Sequence, residues 1–525
     1  MTVKVLIKPS EYHDSVSLML VARELSKLEG VKDAAVVMGT EANKSILNDA
    51  GLLTDEVKSA SPNDLVIAVA STSNSVAESA IQKAEALLKQ KGVSAHIGEF
   101  KPKTIRGAVS ANPAINVAVI SVAGRYAADE AWDALSHGMH ILLFSDNIPL
   151  EDEIALKKYA REQGLLLMGP GAGTAILNHI ALGFANVLPR GPVGIVSAAG
   201  TGLQEVSTLL ARRGVGISQG IGTGGRDLKK EVGGIMMLEA LKALQQDEAT
   251  SVLVLISKPP AEEVVRRILD QAAASDKPTV ICFLGGDIST LAEIPNVHPA
   301  RTLYECALLA ARQIRPQMGD VNAMIEIEND DLANQAATLK SKRKPYQRYL
   351  RGLFSGGTLC YEAQVIWKEI LDRPVYSNAP LPGGFKLPDS TKSYQHTAVD
   401  LGEEEFTVGR PHPMIDHDLR IRRIRQEAHD HEVAVIVLDV VLGYGAHPDP
   451  ALELGQAVGE AQSLARSEGR ELECVASVTG TEEDPQNLSR TIAALERAGV
   501  VVCESNSAAA HLAALIVSDE EGGIR

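Results

Sequence analysis

The sequence predicts an α/β protein built from parallel β-sheets. Short apolar runs alternate with helical patterns along nearly the whole chain of 525 residues. Parallel strands need crossover connections, which are usually helices, so this alternation predicts repeated βαβ units. Glycine is plentiful, with 44 residues, while aromatic residues make up only 4% of the chain, as in proteins whose helices pack closely on parallel sheets. The length predicts several domains, because a domain usually contains about 100–200 residues.

We predict three domains of Rossmann-like or flavodoxin-like type, at residues 1–170, 171–316 and 345–525, with a helical polar linker at 317–344. The strands predicted in the first domain are Val3–Ile7, Asn116–Val122, His140–Phe144 and Leu165–Met168, and its helices are Ser15–Lys27, Asp129–Leu135 and Leu150–Gln163. The strands predicted in the second domain are Val193–Ser197, Val215–Gln219, Val252–Ser257 and Thr279–Phe283. The strands predicted in the third domain are Gly352–Ser355, Ala434–Asp439, Glu473–Val478 and Val500–Glu504. An irregular stretch, Tyr376–Ile421, separates the first two strands of the third domain, and loops of that length are usually functional or disordered.

The composition limits the classes of ligand that we expect the protein to bind and the cellular compartment in which we expect it. The net charge of −16 argues against binding to the phosphate backbone of a nucleic acid. The five cysteines form no C-x-x-C pair and are odd in number, which argues against a disulfide framework or a zinc site and favours a reducing cytoplasm. No segment has 18 consecutive apolar residues, and the N-terminus lacks a signal-peptide pattern, so we expect no membrane span.

Two short segments with nearly the same pattern carry the clearest functional signal. Gly194–Glu205 and Gly352–Glu362 each read as an apolar strand, a turn of small residues, and a helix that opens with Thr and has Glu four residues later. Small residues let the backbone approach a ligand, and the first N–H groups of a helix favour an anion. A tight turn between a strand and a helix needs glycine in any case, which is the structural alternative. The residues predicted to bind phosphate or substrate are Ser197, Gly200, Thr201 and Gly202 in the first turn, and Ser355, Gly356, Gly357 and Thr358 in the second.

Two basic residues lie at predicted strand ends in the second domain. Arg226 follows Gly224 and Gly225, which we also assign to substrate binding, and its guanidinium could hold a carboxylate or phosphate with two hydrogen bonds. The alternative for Arg226 is a salt bridge between loops. Lys258 follows the strand that ends at Ser257, and ligands of open α/β sheets bind beyond the carboxyl ends of strands. The alternative for Lys258 is a solvated loop lysine.

A histidine between two prolines is the candidate general acid–base. His412 lies in the sequence Arg410-Pro411-His412-Pro413, where the restricted φ angles of the prolines would fix its position, and Arg410 could clamp a carboxylate. A hydrogen-bonded structural histidine is the alternative. Cys360 falls in the first turn of a predicted helix, where the pKa of a thiol would fall, although a buried structural cysteine is the more common outcome. We predict no metal site, since His137 and His140 flank a simple turn.

Several motifs of the chain resemble those of succinyl-CoA synthetases. The second domain resembles the ligase half of the α subunit through Gly194–Ser197, Gly200-Thr201, Glu205 and Gly220–Gly222. The first domain resembles the CoA-binding domain in its second half, through Leu150–Asp152 and Leu167–Pro170. The third domain resembles the CoA-ligase domain of the β subunit around Leu438–Gly445, which implies substrate contacts at Gly443 and Gly445.

A closer resemblance, to the FdrA family, covers essentially the whole chain. The motifs that carry it are His13–Leu18, Gly224–Leu228, Glu231–Ile235, Ser257–Glu262, Val408–Asp416 and Val478–Thr481. The resemblance implies an acyl-CoA synthetase-like protein. It also implies a role as one subunit of oxamate carbamoyltransferase in allantoin breakdown, with small anionic metabolites as ligands and other transferase subunits as partners.

The chain departs from the succinyl-CoA synthetase pattern at three places. No Gly-His-Ala-Gly-Ala phosphohistidine loop follows Phe283–Asp287, and His298 has Val297 and Pro299 as neighbours. Lys8–Tyr12 stands where the family has the glycine loop that cradles the phosphates of CoA. The chain also contains no separate ATP-grasp module.

Three functions follow as hypotheses. The first is a cytoplasmic carbamoyl or acyl transferase subunit that uses phosphate or carbamoyl phosphate as substrate without a phosphoenzyme. The second is an NDP-forming acyl-CoA synthetase, with CoA as a bound substrate, whose missing parts lie on partner subunits. The third is a non-catalytic regulatory subunit that binds an anionic metabolite.

Overall fold

The computed structural model describes residues 2–11, 13, 15–90, 102–286, 294–408 and 410–518. The chain divides into two compact units. The first unit contains residues 1–101 and 401–418, and the second contains residues 102–400 and 419–525. The three-domain division stays a prediction.

Strands and helices alternate along the chain, as the sequence predicts. The strands are β1 (Thr2–Lys8), β2 (Val31–Met38), β3 (Leu65–Ser71), β4 (Val117–Ile120), β5 (His140–Leu143), β6 (Leu167–Met168), β7 (Thr174–Leu177), β8 (Ile180–Gly183), β9 (Arg190–Ser197), β10 (Ile217–Gly222), β11 (Val252–Ser257), β12 (Thr279–Phe283), β13 (Val297–Pro299), β14 (Tyr349–Phe354), β15 (Val375–Ser377), β16 (Phe385–Lys386), β17 (His396–Asp400), β18 (Val433–Val441), β19 (Glu473–Thr479) and β20 (Val500–Cys503). The helices are α1 (Ser15–Ser26), α2 (Glu41–Asp49), α3 (Asp55–Ser59), α4 (Asn74–Gln90), α5 (Ile105–Ala111), α6 (Gly124–Ser136), α7 (Leu150–Glu162), α8 (Gly200–Arg212), α9 (Ile235–Gln246), α10 (Glu262–Ala273), α11 (Leu303–Ile314), α12 (Val321–Lys340), α13 (Gly357–Ile370), α14 (Glu404–Thr407), α15 (Asp418–Ala428), α16 (Pro450–Ser467), α17 (Leu488–Arg497) and α18 (Asn506–Val517). Among the described residues, no helix combines the length and the apolarity needed to cross a lipid bilayer.

The first unit is built on a three-stranded sheet in the order β1-β3-β2. Both neighbours of β3 run antiparallel to it, so the prediction of a parallel sheet at the N-terminus is wrong for these strands. The helix α1 connects β1 to β2, as in a parallel βαβ unit. The strand β3 lies between β1 and β2 in the sheet, and the apolar periodicity of the sequence does not reveal this strand order. Residues of β3 are buried on both faces, with α1 and α4 packed on one face and α2 and α3 on the other.

The second unit contains three sheets, and they confirm the predicted α/β class. A small parallel sheet has the order β4-β5-β6. The sheet that we call the first large sheet has the order β13-β12-β11-β9-β10-β7-β8 and is parallel except for the edge hairpin β7–β8. The second large sheet has the order β16-β15-β17-β14-β18-β19-β20 and is parallel throughout. All nine residues of β18 are buried, as expected for a central strand covered by helices on both faces.

The two large sheets position equivalent helices in the same way. The helix α8 follows β9 in the first large sheet, and α13 follows β14 in the second. The helix α8 packs against α11, α13 packs against α18, and α8 and α13 also contact one another. The predicted linker is helical, since α12 occupies most of residues 317–344. The predicted irregular stretch contains a strand that the sequence pattern did not reveal, since β17 is buried throughout and pairs with both β14 and β15.

Candidate functional site

The N-termini of α8 and α13 meet in the second unit, so the structure brings the two predicted turns together. A Cβ atom on Gly356 would lie 2.8 Å from Thr201 Cγ2, and a Cβ atom on Gly202 would lie 3.1 Å from Thr358 Cγ2. The absence of a side chain at each glycine therefore permits the threonine of the opposite helix to approach. The similarity of the two sequence segments reflects two equivalent strand–turn–helix units that face each other.

Each of these helices begins with backbone donors that its own turns do not satisfy. The first intrahelical bond of α8 runs from Leu203 N to Ala199 O, and that of α13 runs from Cys360 N to Gly356 O. The three N–H groups before each of these bonds have no acceptor within their own helix, and neither helix has a side-chain cap. Gly200 and Gly357 are partly exposed, while the residues that follow them are buried. At each helix N-terminus the first residue is therefore the one that a ligand can reach from solvent.

The turn before α13 differs from the turn before α8 because it contains a buried carboxylate. Asp439 at the end of β18 accepts hydrogen bonds from Ser355 N and Gly356 N, each 2.7 Å long, and from Ser355 Oγ at 3.0 Å. Arg420 pairs with the same carboxylate. The backbone donors of Ser355 and Gly356 are thus occupied within the protein, and the predicted contact of these two residues with a phosphate stays a prediction. In the turn before α8, the acceptor is instead a hydroxyl within the turn itself, since Ala199 N donates to Ser197 Oγ at 3.0 Å.

A second carboxylate lies beside the first residue of α13. A Cβ atom on Gly357 would lie 2.5 Å from Asp400 Oδ2, and Asp400 is 3% exposed. A negative charge at this position opposes the binding of an anion at the N-terminus of α13. The N-terminus of α8 is the more favourable of the two for an anion. The role of Gly357 and Thr358 in ligand binding stays a prediction.

Lys258 places a positive charge beside α13. It is exposed at the carboxyl end of β11, and its Nζ atom lies 5.4 Å from the centre of the Tyr361 ring on α13. The adjacent strand β9 ends at the turn before α8, and Ala198 N donates to Ile256 O. Lys258 is therefore placed at the strand ends that lead into the paired helices, where the sequence predicts ligand binding.

Cys360 is buried, which confirms the more common of the two outcomes expected for it, and the pKa of its thiol does not fall. Its side chain is 1% exposed, and burial together with the charge of Asp400 raises the pKa of the thiol well above its usual value. Lys258 opposes this effect only in part. The position in the first turn of a helix does not lower the pKa here because the sulfur is excluded from water.

Arg226 forms the salt bridge between loops that the sequence left open as an alternative. Its Nε lies 2.8 Å from Glu153 Oε2, and its Nη2 donates to Ile148 O at 2.8 Å. Glu153 also binds the fully buried Lys157, whose Nζ lies 2.8 Å from Asp227 Oδ1. Arg226 is thus one end of a charged network that fixes the loop after β10 to α7.

The glycines predicted to bind substrate near this loop and after β18 have packing roles. Gly224 has a φ of +86°, and a Cβ atom there would lie 2.5 Å from Pro170 O. Gly443 has a φ of +110°, and a Cβ atom there would lie 2.5 Å from Ala185 O. Gly445, with a φ of +79°, packs against Phe184. Neighbouring atoms lie so close to these three backbone positions that each requires glycine. At Gly225, by contrast, a Cβ atom would meet only Ala198 O, at 3.9 Å.

His412 and Arg410 belong to the first unit. Arg410 Nε donates to Asn43 Oδ1 at 2.7 Å, and His412 Nδ1 accepts from Met414 N at 3.3 Å. The two residues follow the short helix α14, and their predicted roles as clamp and general acid–base stay predictions. His298 lies on β13, where burial lowers its pKa, and the segment 287–293 that precedes it lies outside the described residues.

Two buried glutamates, whose role the sequence did not reveal, join the halves of this site. Glu205 on α8 accepts from Asn506 N at the start of α18 at 3.0 Å and from the hydroxyl of Thr479. Glu362 on α13 accepts from Leu303 N at the start of α11 at 2.7 Å, and from Asn506 Nδ2 at 2.7 Å. Burial raises the pKa of Glu362 to about 7. The repeated spacing of Thr and Glu was the available signal, because it placed both carboxylates at the same position of equivalent helices.

Three family models match parts of the chain. A model described as AllF, heavy metal-associated domain matches residues 1–103, a CoA-binding domain model matches residues 190–285, and a CoA-ligase model matches residues 353–516. The first description implies a metal, but residues 1–103 contain no cysteine, so the donor set does not fit a site for soft heavy metals.

The chain is similar to several known proteins. The uncharacterized protein YahF of Escherichia coli (strain K12) is 44% identical over 511 residues, which cover 97% of each chain. The α subunit of an ADP-forming succinate–CoA ligase from Methanothermobacter thermautotrophicus is 28% identical over 33% of this chain and 58% of that subunit. A dinucleotide-forming acetyl-coenzyme A synthetase 1 from Ca. Korarchaeum cryptofilum, solved with phosphate and ADP, aligns with 76% of this chain and 82% of its own at 15% identity and a TM-score of 0.28.

Identity over nearly the full length of YahF, together with the family matches, decides the grouping. The chain is an acyl-CoA synthetase-like protein that belongs to the FdrA-like family, within the succinyl-CoA synthetase-like superfamily.

Proposed function

We propose that this protein is the carbamoyl- or acyl-transferring subunit of an FdrA-type complex, and that it acts on oxalurate and phosphate or catalyses the reverse reaction. The observation that carries the proposal is the meeting of the α8 and α13 N-termini beside Lys258. Unsatisfied N–H groups and a nearby ammonium group are suited to a phosphate and to the oxyanion that develops during acyl transfer.

In the proposed reaction, a phosphate oxygen attacks the terminal carbamoyl carbon of oxalurate. A carbon–oxygen bond forms, and the bond from that carbon to the oxamyl nitrogen breaks. The nitrogen takes the proton that the attacking hydrogen phosphate releases and leaves as part of oxamate, while the other product is carbamoyl phosphate. The N-terminus of α8, at Gly200 to Gly202, would hold the phosphate, since no carboxylate occupies its turn as Asp439 occupies the turn before α13.

Asp400 favours a carbamoyl group over a carboxylate-bearing acyl group. Its carboxylate lies beside Gly357 at the N-terminus of α13. A carboxylate can accept a hydrogen bond from the amide NH₂ of a carbamoyl group, but it repels a second carboxylate such as that of succinate. The buried Cys360 offers no thiolate for a covalent intermediate, so direct transfer is the simpler mechanism.

A second candidate is an NDP-forming acyl-CoA synthetase, with CoA held partly by partner subunits. The match of residues 353–516 to the CoA-ligase family and the similarity to a succinate–CoA ligase α subunit favour it. A third candidate is a regulatory subunit that binds an anionic metabolite at the same helix N-termini and catalyses no reaction. Under the first and second candidates we expect the protein to work in a hetero-oligomer in the cytoplasm.

The test is an assay of oxalurate and phosphate with the full chain, with and without the proteins that copurify with it. Formation of carbamoyl phosphate supports the transferase, and labelled phosphate retained on the denatured chain after incubation with ATP supports the synthetase. We expect His298→Ala to keep activity within about threefold of wild type. If His412 acts as the general acid–base, His412→Ala should lower activity about a hundredfold. Complete loss in His298→Ala, with acid-labile phosphate on the wild-type chain, would overturn the transferase proposal.

A further inference from the structure

A cleft of about 330 Å³ lies beside the edge hairpin of the first large sheet. Its walls include Ile176 and His179 from the hairpin, and Val187, Leu188 and Tyr444. It is separate from the paired helix N-termini. The start of β7 lies near Gly200, where a Cβ atom would be 3.5 Å from Thr174 Oγ1, whereas His179 lies beyond the other end of that strand, about 10 Å away along it.

The hairpin turn holds His179 in a fixed position. Asn178 and His179 have φ values of +49° and +68°, which is the pattern of a two-residue turn with both residues in the left-handed region. The side chain of Gln219 clamps the turn, because its Oε1 accepts from Asn178 N at 2.8 Å and its Nε2 donates to Asn178 Oδ1 at 2.9 Å. A residue with a side chain is thus held in a backbone region that favours glycine, at the mouth of the cleft.

The imidazole of His179 lines the cleft. Its Nδ1 atom is buried and has no hydrogen-bond partner within the part of the chain that the structure describes. A buried polar atom without a partner costs about 1–3 kcal/mol. Burial and the charge of Arg190 lower the pKa of His179, which leaves the ring neutral near pH 7.

The side chain of Asn186 and the backbone N–H of Val187 are already used within the protein. Asn186 donates through Nδ2 to Leu442 O at 3.0 Å and to Asp484 Oδ2 at 2.8 Å, and its Oδ1 accepts from Gln204 at 3.1 Å. Val187 N donates to Asp484 Oδ1 at 2.7 Å. The residues that line the cleft include no lysine, arginine, aspartate or glutamate. The cleft is therefore unsuited to the acidic metabolites expected at the paired helices.

Tyr444 provides an aromatic wall. Its ring belongs to a side chain that is 50% exposed, and its backbone N donates to Ala185 O at 2.8 Å. A half-exposed ring that is fixed at its backbone offers one face for stacking with a flat ligand. The volume lies at the lower end of the range of about 300–1,000 Å³ that is typical of small-molecule sites.

We propose that this cleft binds an uncharged nitrogen heterocycle of nucleobase size, stacked on Tyr444 and hydrogen-bonded to the imidazole of His179. The lining residues carry no charged side chain to pair with an ionic ligand, and the polar groups of His179 and Tyr444 favour a ring that carries at least one hydrogen-bonding group. The proposal concerns a second site and does not depend on the transfer chemistry.

The experiment measures binding of adenine and of uracil to the full chain by calorimetry and ligand-observed NMR. His179→Gly removes the imidazole without strain, because glycine accepts a positive φ, and Tyr444→Leu removes the aromatic face. Tyr394→Leu is the matched control, since Tyr394 is also about half-exposed, at 52%, and lies on another part of the same unit. Circular dichroism confirms that each variant is folded.

We expect saturable binding of at least one probe to wild type, affinity at least tenfold lower in both cleft variants, and no change in the control. Carbamoyl phosphate should not displace the probe. The proposal fails if neither probe binds wild type saturably up to about 10 mM, if both folded cleft variants bind as wild type does, or if carbamoyl phosphate competes with the probe.

Discussion

Removing the charge of Glu362 should change how the stability of the second unit depends on pH. The carboxyl group is 1% exposed and accepts hydrogen bonds from Leu303 N and Asn506 Nδ2, but no cation in the described part of the chain forms a salt bridge with it. Burial is the largest cause that raises its pKa from 4.5 to about 7, and the charge of Glu205 adds to it. The substitution Glu362→Gln keeps the shape of the side chain and abolishes its titration.

The sign and size of the change in stability follow from the pKa of Glu362 in the unfolded and in the folded state. Because the folded state holds the proton more tightly than the unfolded state, the stabilising contribution is fully present below pH 4.5 and is lost as the pH rises through about 7. At about 1.4 kcal/mol for each pH unit, this interval corresponds to roughly 3 kcal/mol. Wild type should therefore lose about that much of its free energy of unfolding between acidic and neutral pH, and Glu362→Gln should lose much less.

Tryptophan fluorescence during urea unfolding is a suitable assay. Trp367 is fully buried on the same helix as Glu362, and a Trp132→Phe background removes the only other tryptophan. The exposed Glu369, also on α13, provides the control Glu369→Gln. The reasoning is refuted if wild type and Glu362→Gln show the same dependence of the urea midpoint on pH between about pH 5 and pH 8.

Three further perturbations test the charged network and the paired helices. Lys157→Met should cost about 3–5 kcal/mol of stability, because it leaves the buried Asp227 without its cation and Glu153 with Arg226 alone; urea unfolding against the exposed neighbour Lys158→Met checks this, and equal midpoints would contradict it. Gly200→Val should fold but raise the dissociation constant for phosphate at least tenfold, measured by calorimetry with Gly459→Val on the open face of α16 as control; unchanged phosphate affinity would count against an anion site. Asp400→Asn should keep or tighten phosphate binding, and it should raise the KM for carbamoyl phosphate more than the KM for acetyl phosphate. An equal change in both KM values would show that Asp400 does not recognise the substrate.

The sequence pattern was sufficient for the main strands and for the two functional turns. The strands that end at Ser197 and Phe354 and the helices that begin at Gly200 and Gly357 follow from apolar runs and small residues, which are local signals. The strand β17 was missed because its five residues lie in a stretch rich in turn-forming residues, and their burial depends on pairing with β14 and β15.

The chemistry of individual side chains depended on partners that are distant in sequence. The sequence could not show that Asp439 would occupy the donors of Ser355 and Gly356, or that Glu153 would bind Arg226. The pKa of Cys360 was predicted to fall because the helix position was known and the degree of burial was not. Electrostatic roles could therefore be predicted only where a residue acts through its local backbone.

The reciprocal contacts of Glu205 and Glu362 have a consequence for how the two large sheets assemble. Each sheet provides the carboxylate that satisfies the first N–H group of a helix on the other, since Glu205 binds the start of α18 and Glu362 binds the start of α11. Two fragments cut within the exposed polar surface of α12 would each leave a buried acid and a helix end incomplete. Such fragments should associate in solution and restore the fold without a covalent connection, as two separate subunits would.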